Sequence, residues 1–253
     1  MKILYIVQHF NTPKGSAGLR SYMLAKALIA SGHEVTLVCG SYSGAYTGLN
    51  GEFYRGKRNG NVEGINIIEF DMPYSNKLTF FSRAIMFVKF SIKSLFISLS
   101  TEYDIIFTSS TPLTVAIPGI FAKWLRNKVF VFEIRDLWPE LPKAMGVITN
   151  PIVLGSMELL EYIAYKSATR LIGLSDGMVD GIKKHGILES KITCIPNGCD
   201  LDIFTNKNSS TRSPGLNKND LVCIYSGTHG IANGLDAILL VAEELIKRKV
   251  KDI

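Results

Sequence analysis

The sequence predicts an α/β protein, a Rossmann-like doubly wound parallel sheet followed by the first βα unit of a second Rossmann-like domain. Short apolar runs alternate with helical patterns, several of the runs are almost continuously hydrophobic, and a polar segment interrupts the alternation late in the chain. Near-continuous apolar runs are typical of parallel strands that helices cover on both faces. Strands that alternate with helices indicate βαβ units.

The predicted elements follow one another in a regular order. Strands are expected at 2–7, 34–39, 65–70, 104–109, 128–133, 170–175 and 191–196. Helical patterns lie between them at about 18–31, 79–99, 112–126, 152–168 and 176–185. A Gly- and Asn-rich patch at 48–64 predicts a loop or a small hairpin.

The polar segment TNKNSSTRSPGLNKND defines the predicted domain organisation. We expect a first domain at 1–204, a linker at 205–220, and the start of a second domain at 221–253, with a strand at 221–227 and a helix from about Asn233 to Lys249. One strand and one helix cannot bury a core. The chain is therefore expected to lack most of its second domain.

Composition narrows the function classes. Hydrophobic residues make up 47% and the net charge is +6, which suits an anionic ligand or lipid surface and is too weak by itself to indicate nucleic acid. The four cysteines form no CxxC pair, and the apolar run at the N-terminus is too short for a signal peptide, so reduced thiols and a cytosolic location are expected. No GxSxG, Walker A, HExxH or paired CxxC motif supports an esterase, NTPase or zinc protein.

The stretch FEIRDLWPELPKAMG places charge where a buried strand ends. Ligands of open parallel sheets bind outside the carboxyl ends of the strands, so Glu133, Arg135 and Asp136 are candidate site residues. Trp138 and Glu140 follow them, and the Trp ring and the prolines could shape a wall. The alternative is an Arg–carboxylate ion pair that only braces the loop.

The loop after the first strand is a second candidate. His9 follows that strand directly, and Gly15, Gly18 and Arg20 lie at the start of the next helix, where backbone N–H groups can meet an anion. The spacing does not fit GxGxxG. A plain βα connection is the alternative.

The helix at 77–100 has more apolar surface than one core needs. A helical wheel gives a stripe predicted to face the core, made of Phe81, Ile85, Val88, Ile92, Leu95 and Leu99. Residues off that stripe are expected to contact an anionic membrane: Arg83, Phe87, Lys89, Phe90 and Lys93. These cations argue against a membrane-spanning helix. An ordinary domain helix covered by neighbouring loops is the alternative.

The sequence Asp200-Leu201-Asp202 matches a DxD metal-binding pattern, but paired carboxylates at this spacing are common. The histidines show no metal-ligand spacing. No metal and no cofactor are therefore expected.

Four motifs stand out in the sequence. They are HFNTPKGSAGLRSYMLAKALIASGHEVTLVC, FEIRDLWPELP, SDGM with IPNGCDLDIF, and YSGTHGIANGLDAILLVAEEL. Together they resemble the retaining GT-B glycosyltransferases of family 4. The RDLWPE and GIAxGLD patterns are similar to those of bacterial fucosamine transferases of O-antigen and capsule synthesis. The resemblance covers all 253 residues at the level of motifs.

The resemblance implies two Rossmann-like domains, with the acceptor bound by the first and a nucleotide sugar by the second. It places Gly15, Gly18 and Arg20 near the donor phosphates, with Gly227 and His229 in the second domain. Asp136 would orient a sugar hydroxyl or stabilise positive charge at the anomeric carbon, with Arg135 beside it as a further catalytic residue. The acceptor cleft would be lined by His9, Glu133, Trp138 and Glu140.

Many family members have His-Asp where Arg135 and Asp136 stand, so the resemblance carries over the role of the Asp and not that of the His. Two further departures limit what this chain is expected to do alone. The Arg and Lys that usually bind the donor diphosphate are not evident in GTHGIANG, where His229 and Asn233 stand instead, and the E-x7-E motif that holds the donor would lie beyond Ile253. We therefore expect little or no activity from the chain alone. The implied whole is a transferase of lipid-linked surface polysaccharide at the inner face of the cytoplasmic membrane. A GT-B epimerase or phosphorylase, or a non-catalytic sugar- or lipid-binding module, is the alternative.

Overall fold

The computed structural model describes residues 1–16, 18–74, 78–199, 215, 222–227, 229–230 and 233–250. The chain divides into two compact units, Met1–Gly198 and Cys199–Ile253. Of the predicted linker at 205–220, only Gly215 is among the described residues, so its boundaries stay a prediction. The DxD sequence also lies outside the described residues.

The first unit contains eight strands and six α-helices among its described residues. The strands are β1 (Lys2–His9), β2 (Glu34–Tyr42), β3 (Lys57–Val62), β4 (Ile65–Tyr74), β5 (Ile105–Ser109), β6 (Val129–Ile134), β7 (Arg170–Gly173) and β8 (Ile192–Cys194). The helices are α1 (Arg20–Ala30), α2 (Phe80–Ser100), α3 (Ala116–Arg126), α4 (Glu140–Ala144), α5 (Pro151–Ser167) and α6 (Asp176–Lys183). Short 3₁₀ helices at Leu113–Val115 and Glu189–Lys191 complete it.

The strands form one sheet in the order β3-β4-β2-β1-β5-β6-β7-β8. All neighbours pair in parallel except β3 and β4, which form a hairpin. The hairpin turns at Glu63 and Gly64, both with positive φ (51° and 91°), as a two-residue turn between twisted strands requires. The α/β fold with its parallel Rossmann-like sheet is confirmed, and the predicted small hairpin is completed by the first half of β4.

The two faces of the sheet carry separate hydrophobic clusters. Along β1, Leu4 and Ile6 face a cluster that buries residues of α2, α3, α5 and α6, whereas Tyr5 and Val7 face a cluster with α1. This alternation follows from the period of two along a strand. Helices therefore cover the two faces unequally.

The orientation of α2 is the reverse of the predicted one. Most of the stripe expected to face the core is exposed: Phe81 73%, Ile85 48%, Val88 47% and Ile92 48%. The side facing the core instead buries three serines, Ser91, Ser94 and Ser98, together with Phe90. The predicted membrane contact of Phe90 is therefore wrong, because its ring is fully buried and lies 6.1 Å from that of Phe70.

The serines explain why α2 packs this way round. Ser91 Oγ donates to Thr114 O, and Ser98 Oγ donates to Leu95 O at 2.8 Å and, more weakly, to Pro118 O at 3.5 Å. Small side chains allow α2 to approach α3 closely, and the hydroxyls of Ser91 and Ser98 find backbone acceptors. A wheel that ranks residues by hydrophobicity cannot anticipate this choice.

The second unit is described only in part. Its helix α7 (Asp236–Lys247) agrees with the predicted helix from about Asn233 to Lys249. The structure assigns no strand to the described residues 222–227, where one was predicted. A parallel strand exists only when paired.

Candidate active site

The carboxyl ends of β1, β5 and β6 lie side by side, and the polar residues of interest follow them. β1 pairs with β5, and β5 pairs with β6 up to the neighbours Ser109 and Glu133. Arg135 and Asp136 come directly after β6. The sequence therefore placed these charges correctly at the edge where open parallel sheets bind ligands.

Asp136 is held by the loop that follows β5. Thr111 Oγ1 donates a 2.6 Å hydrogen bond to Asp136 Oδ2. One residue earlier in each loop, the Arg135 backbone N–H donates to Ser110 Oγ at 2.9 Å. These two bonds fix the Arg135 backbone and the Asp136 carboxylate relative to β5. Asp136 is only partly buried, so it combines a fixed orientation with access from the edge.

Ser110 and Thr111 were not identified from the sequence. The signal was available, because both follow the predicted strand DIIFTS at its carboxyl end, as the RD pair follows the next strand. Hydroxyl residues at strand ends are common, however, and only the parallel pairing of β5 with β6 brings them to Asp136.

Glu133 does not line an open cleft, and this prediction is corrected. Its side chain is 0% exposed. Arg20 donates to Glu133 Oε1 from Nε at 2.9 Å and from Nη2 at 2.8 Å, while Ser109 Oγ donates to Oε2. Both carboxylate oxygens are thus bonded, as a buried charge requires. The alternative of an Arg–carboxylate ion pair is correct for this residue, but the Arg comes from α1.

Arg20 is fully committed to the protein. Besides its two donations to Glu133, its Nη2 donates to Ile195 O at 2.8 Å. Its Nη1 donates to Pro196 O at 2.9 Å and to Asn197 Oδ1 at 3.3 Å. With the two bonds to Glu133, each of its five N–H groups has an acceptor. The prediction that Arg20 binds donor phosphates is corrected, because no N–H group is left to donate. Arg20 instead joins α1, β6 and the segment that follows β8.

The glycine loop between β1 and α1 is pinned to the loop after β2. Thr12 N donates to Tyr46 O at 2.9 Å, and Ser16 N donates to Gly44 O at 3.4 Å. A Cβ on Gly15 would lie 1.8 Å from Asn11 Oδ1, so this position needs glycine for close packing. Gly18 faces open space. Their role near donor phosphates stays a prediction.

His9 lies in an aromatic cluster at the same edge of the sheet. Its ring is 5.2 Å from Tyr42 and 4.8 Å from Tyr74, and Tyr74 stacks on Phe87 at 5.7 Å. Burial, and after it the positive charge of Arg135, lowers the pKa of His9 to about 4. His9 is therefore neutral at pH 7 and acts as a hydrogen-bonding group rather than as a cation.

The same cluster adds residues that the sequence did not single out. Tyr42 and Tyr74 are the last residues of β2 and β4. Burial raises the pKa of the Tyr42 hydroxyl, and the positive charge of Arg135 opposes this shift. Phe87 is partly buried and turned toward Tyr74 rather than outward, which does not fit its predicted membrane contact.

Part of the RDLWPE turn lines a small cavity. Leu137 and Glu140 line this cavity of about 250 Å³ together with Glu161 and His185. Glu140 is exposed at the start of α4, whereas Trp138 is partly buried and packs against the core. The acceptor roles of Trp138 and Glu140 stay predictions.

The buried carboxyl group of Glu161 lies beside this turn. Tyr165 Oη donates to Glu161 Oε1 at 2.7 Å, and His185 Nε2 lies 3.5 Å from Glu161 Oε2. Burial is the main cause that raises the pKa of Glu161 to about 7, with smaller effects from Glu140 and Glu158. The group therefore titrates near neutral pH.

Three predictions concern features outside this edge. Gly227 and His229 are exposed in the second unit, where the ring of Tyr225 lies 5.9 Å from that of His229, and their donor role stays a prediction. Within the described part of the chain, no three His, Cys, Asp or Glu side chains are grouped to hold a metal ion. None of the described helices has the length and hydropathy needed to cross a membrane.

Known structures share the fold at low sequence identity. Sucrose-phosphate synthase from Thermosynechococcus elongatus is 14% identical over 80% of this chain and 49% of that chain, with a TM-score of 0.51. A second structure of that synthase is 13% identical over 81% of this chain and 93% of that chain, also with a TM-score of 0.51. Anabaena HepE in complex with UDP and glucose is 17% identical over 81% of this chain and 46% of that chain, with a TM-score of 0.47.

The chain spans less than half the length of the first synthase structure and of HepE. A search of curated proteins found no match. A family model described as "Glycosyl transferase 4-like domain" matches residues 15–198, which include the whole edge described above except His9 and the start of the glycine loop. The chain has a Rossmann-like fold of the GT-B type and belongs to the glycosyl transferase 4-like family.

Proposed function

We propose that this chain is the acceptor-binding half of a glycosyltransferase that acts on a nucleotide-diphosphate sugar. The proposed acceptor is a lipid-linked saccharide in O-antigen, capsule or exopolysaccharide synthesis. The enzyme would be cytoplasmic and attached peripherally to the inner face of the cytoplasmic membrane. Family membership supports the reaction class, and the HepE complex with UDP and glucose is consistent with such a donor.

The observation that carries the proposal is the fixed position of Asp136. Its carboxylate is oriented by Thr111 at the carboxyl edge of the sheet and remains accessible. Glycosyl transfer develops positive charge at the anomeric carbon, and a preoriented carboxylate stabilises such charge without reorganisation. The same group could instead orient the acceptor hydroxyl.

Arg135 and His9 supply the polar surroundings of that carboxylate. Arg135 is close enough to lower the pKa of His9, so the two side chains share one region of the edge. The guanidinium is a candidate for stabilising the leaving diphosphate, a role that Arg20 cannot take because Glu133 and the 195–197 segment occupy it. Neutral His9 with Tyr42 and Tyr74 offers aromatic faces and hydrogen-bonding groups to a sugar ring.

Retention of configuration is part of the proposal, with the acceptor hydroxyl attacking from the face that the diphosphate leaves. The bond from the anomeric carbon to the phosphate oxygen breaks, and a bond to the acceptor oxygen forms. The hydroxyl proton leaves with the nucleoside diphosphate or with solvent.

The test is a panel of nucleotide sugars assayed with the complete gene product and membrane extract as acceptor. We expect one donor to give transfer of label into the lipid-extractable fraction, with the anomeric configuration of the donor preserved by NMR. Donor turnover that needs no extract and yields a free epimer would assign an epimerase instead. No turnover of any donor would refute the proposed function.

A further inference from the structure

The outward faces of α2 and α3 are apolar, although both helices lie at the surface. On α2 the exposed large side chains are Phe81, Ile85, Val88, Ile92 and Phe96, which recur every three or four residues and so share one face. On α3 they are Phe121, Trp124 and Leu125, exposed by 36%, 56% and 65%. The two helices are in contact, since Arg126 of α3 donates to Ser98 O of α2.

The apolar side chains of α2 are exposed because of the way the helix is turned, with serines on its inward side. The chain buries Ser91, Ser94 and Ser98 while Phe81 (73%) and Phe96 (67%) face outward. Ser94 Oγ is buried and has no hydrogen-bond partner among the described residues. A helix in water gains most by burying phenylalanine and exposing serine. Small residues at a helix contact with large apolar residues outside are the arrangement of helices that meet lipid.

The charge of these helices is one-sided. α2 and α3 contain Arg83, Lys89, Lys93, Lys123 and Arg126 and no acidic residue. Arg126 is paired with Glu102 at 2.9 Å, and Lys93 Nζ lies over the Phe70 ring. Lys89 is exposed and Lys123 is partly exposed, and both lie beside outward apolar residues. Such a surface is complementary to an apolar partner that carries negative charge at its boundary.

We infer that the outward face of α2 and α3 binds the surface of an anionic lipid bilayer. The apolar side chains enter the boundary between headgroups and acyl chains, and Lys89 and Lys123 contact lipid phosphates. Of the contact residues predicted from the sequence, only Lys89 is kept, because the helix is turned the other way. The inference deepens the proposed function, and its relevance to the acceptor rests on that function.

The test measures binding of the 253-residue chain to vesicles, without sugar transfer. Co-sedimentation is compared between vesicles of phosphatidylglycerol and phosphatidylcholine in equal amounts and vesicles of phosphatidylcholine alone. We expect the chain to bind the anionic vesicles at least about tenfold more tightly. Added salt should weaken this binding, since surface charges are screened.

Two double variants separate the apolar from the electrostatic part. Ile85→Gln with Ile92→Gln keeps helix propensity and should lower the partition coefficient at least about tenfold. Lys89→Gln with Lys123→Gln should lower it about 30-fold on anionic vesicles, from roughly fivefold for each lysine. The matched control is Lys26→Gln with Lys191→Gln, on α1 and on the 3₁₀ helix that precedes β8. It removes the same charge away from this face and should bind as the parent does.

The outcomes decide between occupants of the surface. Absence of binding to anionic vesicles, or equal losses in the control and the lysine variant, would overturn the inference. A dimer would also overturn it, if sedimentation velocity shows that the parent chain dimerises and that Ile85→Gln with Ile92→Gln dissociates the dimer. The face would then bind a second copy of the chain. Circular dichroism confirms that the variants fold, and the lysine variant tests the inference should the isoleucine variant not fold. Vesicle binding without transferase activity would refute the proposed function alone.

Discussion

The buried pair of Arg20 and Glu133 gives the most quantitative prediction. Arg20→Met removes five donors and leaves a carboxylate with 0% exposure without its cation. Removing one partner of a buried ion pair costs about 3–5 kcal/mol. For a unit of 150–250 residues this lowers Tm by roughly 10 °C.

A double-mutant cycle separates this effect from the loss of packing. Glu133→Gln in the parent should also destabilise, because Arg20 then keeps its charge with only 10% exposure and loses its counter-ion. In the Arg20→Met background the same Glu133→Gln should stabilise, because it removes the unpaired charge and keeps an amide for Ser109. The predicted result is a change of sign, with a coupling energy of about 2 kcal/mol or more.

The assay is urea unfolding at pH 7.5, followed by circular dichroism, for the parent, both single variants and the double variant. Glu133→Gln that costs the same free energy of unfolding in both backgrounds would refute the coupling. In that case the contacts of Arg20 with the 195–197 segment alone would explain its importance.

Three further predictions follow from the site and its support. Asp136→Asn should lower turnover of the complete enzyme about 10²-fold or more with little change in Tm, as expected for a group that stabilises transition-state charge, and unchanged turnover would remove Asp136 from the mechanism. Because burial raises the pKa of Glu161 from 4.5 to about 7, the folded state holds a proton that the unfolded state loses, so stability is greatest below pH 4.5 and falls as the pH rises to 7. Glu161→Gln should abolish that fall of roughly 1–3 kcal/mol in urea unfolding at pH 5 and 8, and an unaltered slope would contradict the assignment. Gly119→Ala would place its Cβ 2.1 Å from the Phe130 ring and should lower the free energy of unfolding by roughly 2–3 kcal/mol. The control Gly155→Ala on α5, where a Cβ has nothing within 4 Å, should raise it by about 0.5–1 kcal/mol. Equal shifts in Tm for the two variants would contradict the packing at Gly119.

Much of the sheet was predictable because its signal is local. The seven predicted strands correspond to β1, β2 and β4 to β8, since near-continuous apolar runs identify buried parallel strands. The position of Arg135 and Asp136 followed from the same reasoning. The contacts of a charged residue could not be predicted in the same way. Arg20 and Glu133 are 113 residues apart and are brought together only by the order of the strands in the sheet.

The orientation of α2 shows a limit of another kind. Its apolar residues surround more than one face, so hydrophobicity allowed two orientations of the helix. Packing against the 3₁₀ helix Leu113–Val115 and α3 selected the one with small residues inside, through the hydroxyl bonds of Ser91 to Thr114 O and of Ser98 to Pro118 O. Which face of α2 points outward therefore depends on how the helices fit together. The hydrophobic periodicity of a single sequence does not carry that information.

The direction of α2 has a consequence for how an acceptor would arrive. A helix of 21 residues is about 31 Å long, and α2 begins where β4 ends, so it runs back along the strands from the edge that holds Asp136. A bilayer lying along the whole of α2, from Phe81 to Phe96, would therefore lie parallel to the strands. The carboxyl edge would then open sideways, along the plane of the membrane, and a lipid-linked saccharide could reach it by lateral diffusion without its acyl chains leaving the bilayer.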